Sequence, residues 1–226
     1  MSAERLPRAA IRGIALGTGL VGYGFSVALM VRAGLGLGPW DVFHQSLAHH
    51  TGMTIGLASG LVSAAVLLAW IPLRNRLGVG TVANVIVIAV TVDVGLALLP
   101  TPSALPVRVA LMLTAVLLNA ISTVLYIGAG LGTGPRDGLM TGLVVRTGIS
   151  VRLVRTAIEV TVLGTGWLLG GTVGVGTVVY AICIGPLVQL TLRITPQRLL
   201  ADSGWGSVAE SCGLNMKSTA SASPRA

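Results

Sequence analysis

The chain has little charge, and most of what it has is positive. Of its 226 residues only 10% are charged and 53% are hydrophobic, whereas a soluble globular domain carries about 25% charged residues. This deficit, with a mean hydropathy of +0.87, excludes an ordinary soluble domain and indicates an integral membrane protein. Only 4% of the residues are aromatic and the basic residues are scattered. The net charge of +8 therefore does not predict a nucleic-acid surface.

Cysteine is almost absent, and no catalytic or metal-binding pattern accompanies the few reactive residues. Cys183 lies in an apolar segment and Cys212 in a polar one, which excludes a disulfide framework. Three histidines occur without the Cys/His/Glu spacing of a metal site, and we expect them at the membrane interface: His44, His49 and His50. The sequence predicts no metal, no cofactor and no enzyme, because Ser/His and Cys/His constellations are missing.

The sequence matches itself at a spacing of 96 residues, without a gap, from Arg12/Arg108 to Pro100/Pro196. The best-kept part is a glycine-rich turn, which reads Ala-Gly-Leu-Gly-Leu-Gly-Pro-Trp-Asp over residues 33–41 and Ala-Gly-Leu-Gly-Thr-Gly-Pro-Arg-Asp over residues 129–137. An internal repeat in an apolar chain is typical of a membrane protein built from two related halves.

Six apolar segments are long enough to cross a hydrocarbon core, which takes roughly 20 residues of helix. We predict an all-α, polytopic membrane helix bundle with a cytoplasmic basic leader (1–11) and a polar, disordered cytoplasmic tail (197–226). The predicted spans are 12–32, 54–73 and 79–99 in repeat 1 (12–100), and 107–128, 151–171 and 174–195 in repeat 2 (107–196).

The basic residues predict an orientation. With both termini in the cytoplasm, thirteen of the fifteen basic residues lie on the cytoplasmic side and only Arg32 and Arg108 lie outside. Counting 39–53 and 135–149 as further spans would give four per half, but these segments are short and polar. Three spans per half make the second repeat enter the membrane upside down. Three tryptophans near predicted span ends suggest an aromatic belt: Trp40, Trp70 and Trp167.

Each glycine turn lies between the first and second spans of its repeat and predicts the start of a short half-helix. Gly38 and Gly134 fit the N-cap position, with proline next and Asp41 or Asp137 in the first turn. Two interpretations stay open. The motif starts a surface helix, or both turns enter the bilayer from opposite faces and meet near its middle, which requires a cavity or a binding site around them.

Acidic residues inside the spans are few, and a charge at the bilayer centre is costly. Asp93 lies in span three without a basic residue within one turn, which makes it a candidate for function. The alternative is an Asp held by backbone or polar groups of another helix, or one close to the outer interface. Glu159 follows Arg155 by four residues and predicts a structural ion pair. Arg136 replaces Trp40 in the second turn, so an anion drawn by Arg136 and the half-helix dipole is a natural hypothesis.

The turn motifs, the late Asp of span three, the Arg-x-x-x-Glu pair and a Gly-x-Gly-Thr motif in each half together resemble the YczE/YyaS/YitT-like family of bacterial integral membrane proteins. The resemblance covers residues 10–196 and implies location and topology rather than an activity. It marks these positions as part of the family pattern: Pro39, Trp40, Asp41, Asp93, Pro135, Arg136, Asp137, Arg155 and Glu159.

The leading hypothesis is a plasma-membrane transporter or channel-like protein for a small, unidentified substrate, with its site where the inverted repeats meet. The predicted substrate-binding set is Gly36, Gly38, Pro39, Trp40, Asp41, Gly132, Gly134, Pro135, Arg136, Asp137 and Asp93. The alternative is a membrane scaffold that modulates a partner through the Arg-rich segment 136–155. The expected partners are the lipid bilayer and the substrate, and the sequence leaves the oligomeric state open.

Overall fold

The computed structural model describes residues 8–75 and 77–195, and helices joined by short turns make up these ranges, with no strand in either. The all-α prediction is confirmed. Residues 1–7 of the predicted leader and the predicted tail 197–226 lie outside the described residues. The helices are α1 (Arg8–Ala33), α2 (Pro39–Thr51), α3 (Ile55–Leu73), α4 (Val79–Leu98), α5 (Leu105–Gly128), α6 (Pro135–Thr147), α7 (Val151–Leu168) and α8 (Val175–Ile194).

Five of these helices, α1, α3, α4, α5 and α8, are long and apolar enough to cross a membrane. The helix α7 occupies the position of the remaining predicted span, but its 18 residues include Arg152, Arg155 and Glu159. Three charged groups lower its hydropathy below that of an ordinary membrane helix. The helices that carry the fold are therefore those of a membrane protein.

The two halves contain the same helices in the same order. The short helices α2 and α6 are each 13 residues long and begin 96 residues apart. Gly38 and Gly134 are their N-caps, with proline in the first turn, as the sequence predicts. Both helices end at a glycine in the left-handed conformation, Gly52 (φ 71°) and Gly148 (φ 69°), because a residue without a Cβ adopts this geometry at no steric cost.

The first helices of the two halves, α1 and α5, lie side by side at the centre and run antiparallel. Arg12, near the start of α1, donates to carbonyls at the end of α5, and Arg108, near the start of α5, donates to carbonyls at the end of α1. The two backbones come close because small residues face the contact. A Cβ on Gly19 would lie 2.6 Å from the Tyr126 nitrogen.

Each short helix packs against the third helix of the other half: α2 on α7, and α6 on α3. At the α6–α3 contact the Trp70 ring fills the space over Gly138, where a Cβ would overlap it. Trp70 is buried and its indole Nε1 donates to the Pro135 carbonyl at 3.0 Å. The prediction that Trp70 belongs to an interfacial belt was therefore wrong, since its polar end finds a partner inside the protein.

The largest difference between the halves is the contact between their last two helices. In the first half α3 and α4 pack against each other, whereas their counterparts α7 and α8 stand apart. The gap between α7 and α8 is where the main cavity of the protein opens.

Candidate functional site

A cavity of about 390 Å³ lies at the centre of the molecule, where the N-termini of α2 and α6 meet. The first half contributes Pro39, Trp40 and Asp41 to its wall, and the second half contributes Arg136 and Asp137. The rest of the lining comes from helices α1, α5, α7 and α8, from the next turn of α6 and from the two glycine turns. The structure thus brings the two predicted Gly-Pro-Asp turns to one shared space.

Glycine allows each turn to reach this position. Gly36 and Gly132 have φ values of 119° and 137°, a conformation that side-chain-bearing residues rarely adopt. The Leu35 carbonyl accepts a hydrogen bond from the Gly176 amide at 2.7 Å, and the Leu131 carbonyl accepts one from the Gly80 amide at 2.8 Å. Each turn is thereby attached to the start of the last helix of the other half. Gly36 and Gly132 position the turns and line no described cavity.

Arg136 is the cation at the meeting point of the turns. Its guanidinium lies 5.1 Å from the centre of the Trp40 ring, and its Nη2 atom is 3.9 Å from Asp41 Oδ1. No residue in the described ranges accepts a hydrogen bond from it. A guanidinium has five N–H donors in a planar fork that matches a carboxylate or phosphate. Arg136 is therefore equipped to bind an anion that enters the cavity.

Hydroxyl and amide groups surround this arginine. The chain has three tyrosines, and all of them, Tyr23, Tyr126 and Tyr180, line the cavity. The Tyr126 hydroxyl donates to Asp137 Oδ2 at 3.2 Å, and the Tyr180 hydroxyl donates to Asn119 Oδ1 at 3.2 Å. The tyrosines were not predicted from the sequence. The available signal was that Tyr23 and Asn119 are repeat equivalents, as are Asn84 and Tyr180, so both positions are polar inside apolar helices in both halves.

Charged residues of α7 form the wall of the cavity near its opening. Arg155 Nε donates to Glu159 Oε1 at 2.9 Å, in the i, i+4 arrangement that the sequence predicts for this ion pair. Both side chains are more than a third exposed, so the pair contributes little to stability. Arg152 lines the same region.

Two expectations for α2 were wrong. His44 is buried, with 1% of its side chain exposed, and its Nδ1 atom is 3.5 Å from Asp41 Oδ1. Trp40 lines the cavity instead of standing at a membrane interface. The physical reason is that α2 is not a surface helix, because it lies between α3 and α7. His49 and His50, at its far end, are exposed.

Asp93 lies away from the main cavity. Its carboxylate accepts hydrogen bonds from the Thr54 hydroxyl at 2.5 Å and from the Gly56 amide at 2.8 Å. It therefore attaches α4 to the first turn of α3, which is the structural alternative that the sequence left open. Its repeat equivalent, Gln189, does line the cavity. Among residues 8–75 and 77–195 no group of three His, Cys, Asp or Glu side chains could hold a metal ion.

A second, smaller cavity of about 60 Å³ lies on the other side of Arg136, between α3, α4 and α6. Gly134 and Pro135 line it, together with Ser59, Ser63 and Asn84. The predicted turn residues are thus divided between the two cavities, and Arg136 and Asp137 belong to both.

Residues 10–193 match the model of a family of unknown function, DUF6198. An uncharacterised protein of Haemophilus influenzae is 45% identical over 171 residues, which cover 76% of this chain and 78% of the relative. The uncharacterised membrane protein YczE of Bacillus subtilis is 34% identical over 184 residues, 80% of this chain and 85% of the relative. No solved structure matches. The predicted resemblance to YczE-like proteins is confirmed, and the chain is an integral membrane protein that belongs to the DUF6198 family.

Proposed function

We propose that this protein is a plasma-membrane transporter or channel-like permease for a small anion, with its site where two inverted repeats meet. The observation that carries the proposal is the position of Arg136. It lies in the first turn of α6 with its guanidinium beside the first turn of α2, inside a cavity lined by both halves, and no described residue accepts a hydrogen bond from that guanidinium.

The proposed topology has six spans, with α2 and α6 entering the bilayer from opposite faces. The antiparallel arrangement of α1 and α5, which are repeat equivalents, supports it. The charged side chains of α7 line the cavity, so this helix can cross the membrane without exposing them to lipid. With both termini in the cytoplasm, α7 begins on the cytoplasmic side. The large cavity then opens toward that side, because Arg152, near the start of α7, lines it.

The chemistry of the wall favours an organic anion. Around the polar groups, apolar side chains such as Ile127, Met140 and Val188 make up much of the lining. An apolar wall with a few convergent polar groups suits a ligand that has an apolar body and one charged end. Arg136 would hold the charged end through a two-pronged contact.

The test is flux through the purified protein in liposomes, with chloride, inorganic phosphate and benzoate as the three probes. We expect benzoate uptake, and a fall of about tenfold or more in Arg136→Gln, because a charge-assisted hydrogen bond is worth about 1.5–3 kcal/mol. Arg193→Gln is the matched control. It removes the same charge from an exposed position near the end of α8 that lines neither cavity.

Absence of flux with all three anions, or equal flux in Arg136→Gln and Arg193→Gln, would refute the proposal. The alternative is a scaffold that binds a partner through residues 136–155, and it has less support. Arg136 points into the interior, and Arg146 donates to the Pro72 carbonyl of the neighbouring helix.

A further inference from the structure

The small cavity and the large cavity are built from equivalent residues of the two halves. Nine of the eleven residues that line the small cavity have their equivalents, 96 positions away, in the lining of the large one. Ser59 corresponds to Arg155, Ser63 to Glu159 and Asn84 to Tyr180. The correspondence includes the turns, where residues 134–137 match 38–41. The molecule therefore contains the same cavity twice, once large and once small.

The two cavities adjoin each other. Tyr23, Tyr126, Arg136 and Asp137 line both of them. The large one lies between α7 and α8, which stand apart, and the small one lies between α3 and α4, which pack together. The difference in volume, about 390 Å³ against about 60 Å³, follows from this difference in packing.

The packed helices α3 and α4 are joined by hydrogen bonds at the start of α3. Asp93 accepts hydrogen bonds there from Thr54 and Gly56. The approach is close, since a Cβ on Gly56 would lie 2.5 Å from the Asp93 carboxyl carbon and would overlap the Ala89 carbonyl. Gly56, Ala89 and Asp93 correspond to three residues of the second half that all line the large cavity: Arg152, Gly185 and Gln189. Positions that touch in one half are thus separated in the other.

We propose that the small cavity is a second, closed entrance to the same anion site and that Asp93 holds it shut. The two halves would exchange their arrangements, with α3 and α4 separating as α7 and α8 come together, so that Arg136 faces one side of the membrane and then the other. This inference rests on the proposed function. It assigns to Asp93 a positioning role that acts through α3, outside the substrate site.

The test measures labelling of engineered cysteines by a membrane-impermeant maleimide in vesicles of both orientations. The background lacks the two native cysteines. Ser59→Cys reports the small cavity and Ile184→Cys the large one. With Asp93→Ala we expect labelling of Ser59→Cys to rise by roughly tenfold, as for the loss of a charge-assisted hydrogen bond. Labelling of Ile184→Cys from the opposite side should fall.

Thr54→Val keeps the side-chain shape and removes the hydrogen bond to Asp93, together with the N-cap bond that the Thr54 hydroxyl accepts from the Leu57 amide. Both losses loosen the start of α3, so this variant should act in the same direction even if Asp93→Ala does not fold. Thr18→Val is the matched control, because the Thr18 hydroxyl bonds only within its own helix. The inference is overturned if Ser59→Cys stays unreactive in the folded variants, or if both reporters become more reactive together.

Benzoate protection of Ile184→Cys separates this inference from the proposed function. Protection without an exchange of labelling leaves the anion site standing and removes the second entrance. If labelling rises at Ser59→Cys and falls at Ile184→Cys, but benzoate, chloride and inorganic phosphate give no protection, the second entrance is supported and the proposed anion site is contradicted.

Discussion

Arg12 and Arg108, which occupy the same position in the two repeats, each bind the end of the other's helix. Arg12 Nε donates to the Ala129 carbonyl at 2.7 Å and its Nη2 to the Gly130 carbonyl at 2.8 Å. Arg108 donates to the equivalent carbonyls, those of Ala33 and Gly34, at 2.7 Å each. The last carbonyls of a helix lack intrahelical partners and carry partial negative charge, which an arginine satisfies. The central helix pair is thereby fastened at both ends.

We predict that Arg12→Gln and Arg108→Gln each destabilise the protein by about 1.5–3 kcal/mol, the usual worth of hydrogen bonds from a charged group. The two effects should add in the double variant because the sites lie at opposite ends of the pair. Thermal unfolding in detergent measures this, with Arg193→Gln as the control. A neutral result for either variant would show that water replaces the arginine at that helix end.

In the proposed anion site Asp41 would compete with the anion for Arg136, since its Oδ1 atom is 3.9 Å from the guanidinium. We expect Asp41→Asn to tighten benzoate binding by roughly tenfold, the effect of one charge within about 4–6 Å. The concentration dependence of uptake gives the apparent affinity. Weaker binding in Asp41→Asn would mean that the carboxylate assists the site, by holding Arg136 in place, more than it opposes the anion.

Glu159 lies in the wall near the cavity opening beside two arginines. Glu159→Gln removes a negative charge from the entry route, and we expect faster benzoate uptake at low salt. The gain should disappear when ionic strength approaches about 1 M, where charges are screened beyond about 3 Å. Thermal stability should change by less than about 1 kcal/mol, because both side chains of the pair with Arg155 are more than a third exposed. A salt-independent change in uptake would count against an electrostatic role.

The contacts between the short helices and the opposite halves exchange large and small residues. Trp70 packs over Gly138 in one contact, and their repeat equivalents are Gly166 and Val42, which also touch. We predict that Gly138→Val and Trp70→Gly are each destabilising, Trp70→Gly by about 3–5 kcal/mol. The double variant should recover at least about 1 kcal/mol relative to the sum, since the two sites share one space. Strict additivity, measured by unfolding in detergent, would contradict this complementarity.

The repeat could be predicted by comparing the sequence with itself, and the starts of α2 and α6 could be predicted from local signals. Gly38 and Gly134 act on the chain next to them, and proline restricts its own backbone. Contacts between residues far apart in the sequence could not be predicted in this way. Nothing near Trp70 in the sequence shows that Gly138 leaves space for its ring. His44 is likewise part of a helix that packs against α7, and α7 comes more than a hundred residues later.

Asp93 shows how far the role of a charged residue could be predicted from the sequence. The cost of an acid in an apolar helix indicates that it needs a partner, but the same cost applies whether the partner is a substrate or a backbone amide. The partner was the Gly56 amide. The place of the tyrosines in the site could not be predicted from any one helix. Only the arrangement of the two halves brings Tyr23, Tyr126 and Tyr180 together around Arg136.

The attachment of each glycine turn to the opposite half has a consequence for a divided chain. The Leu35 carbonyl finds its donor in Gly176, and the Leu131 carbonyl finds its donor in Gly80. Neither fragment of a protein cut between α4 and α5 would therefore satisfy its own backbone. Each fragment would depend on the other for its hydrogen bonds, so we expect the two to be stable only when they are produced together.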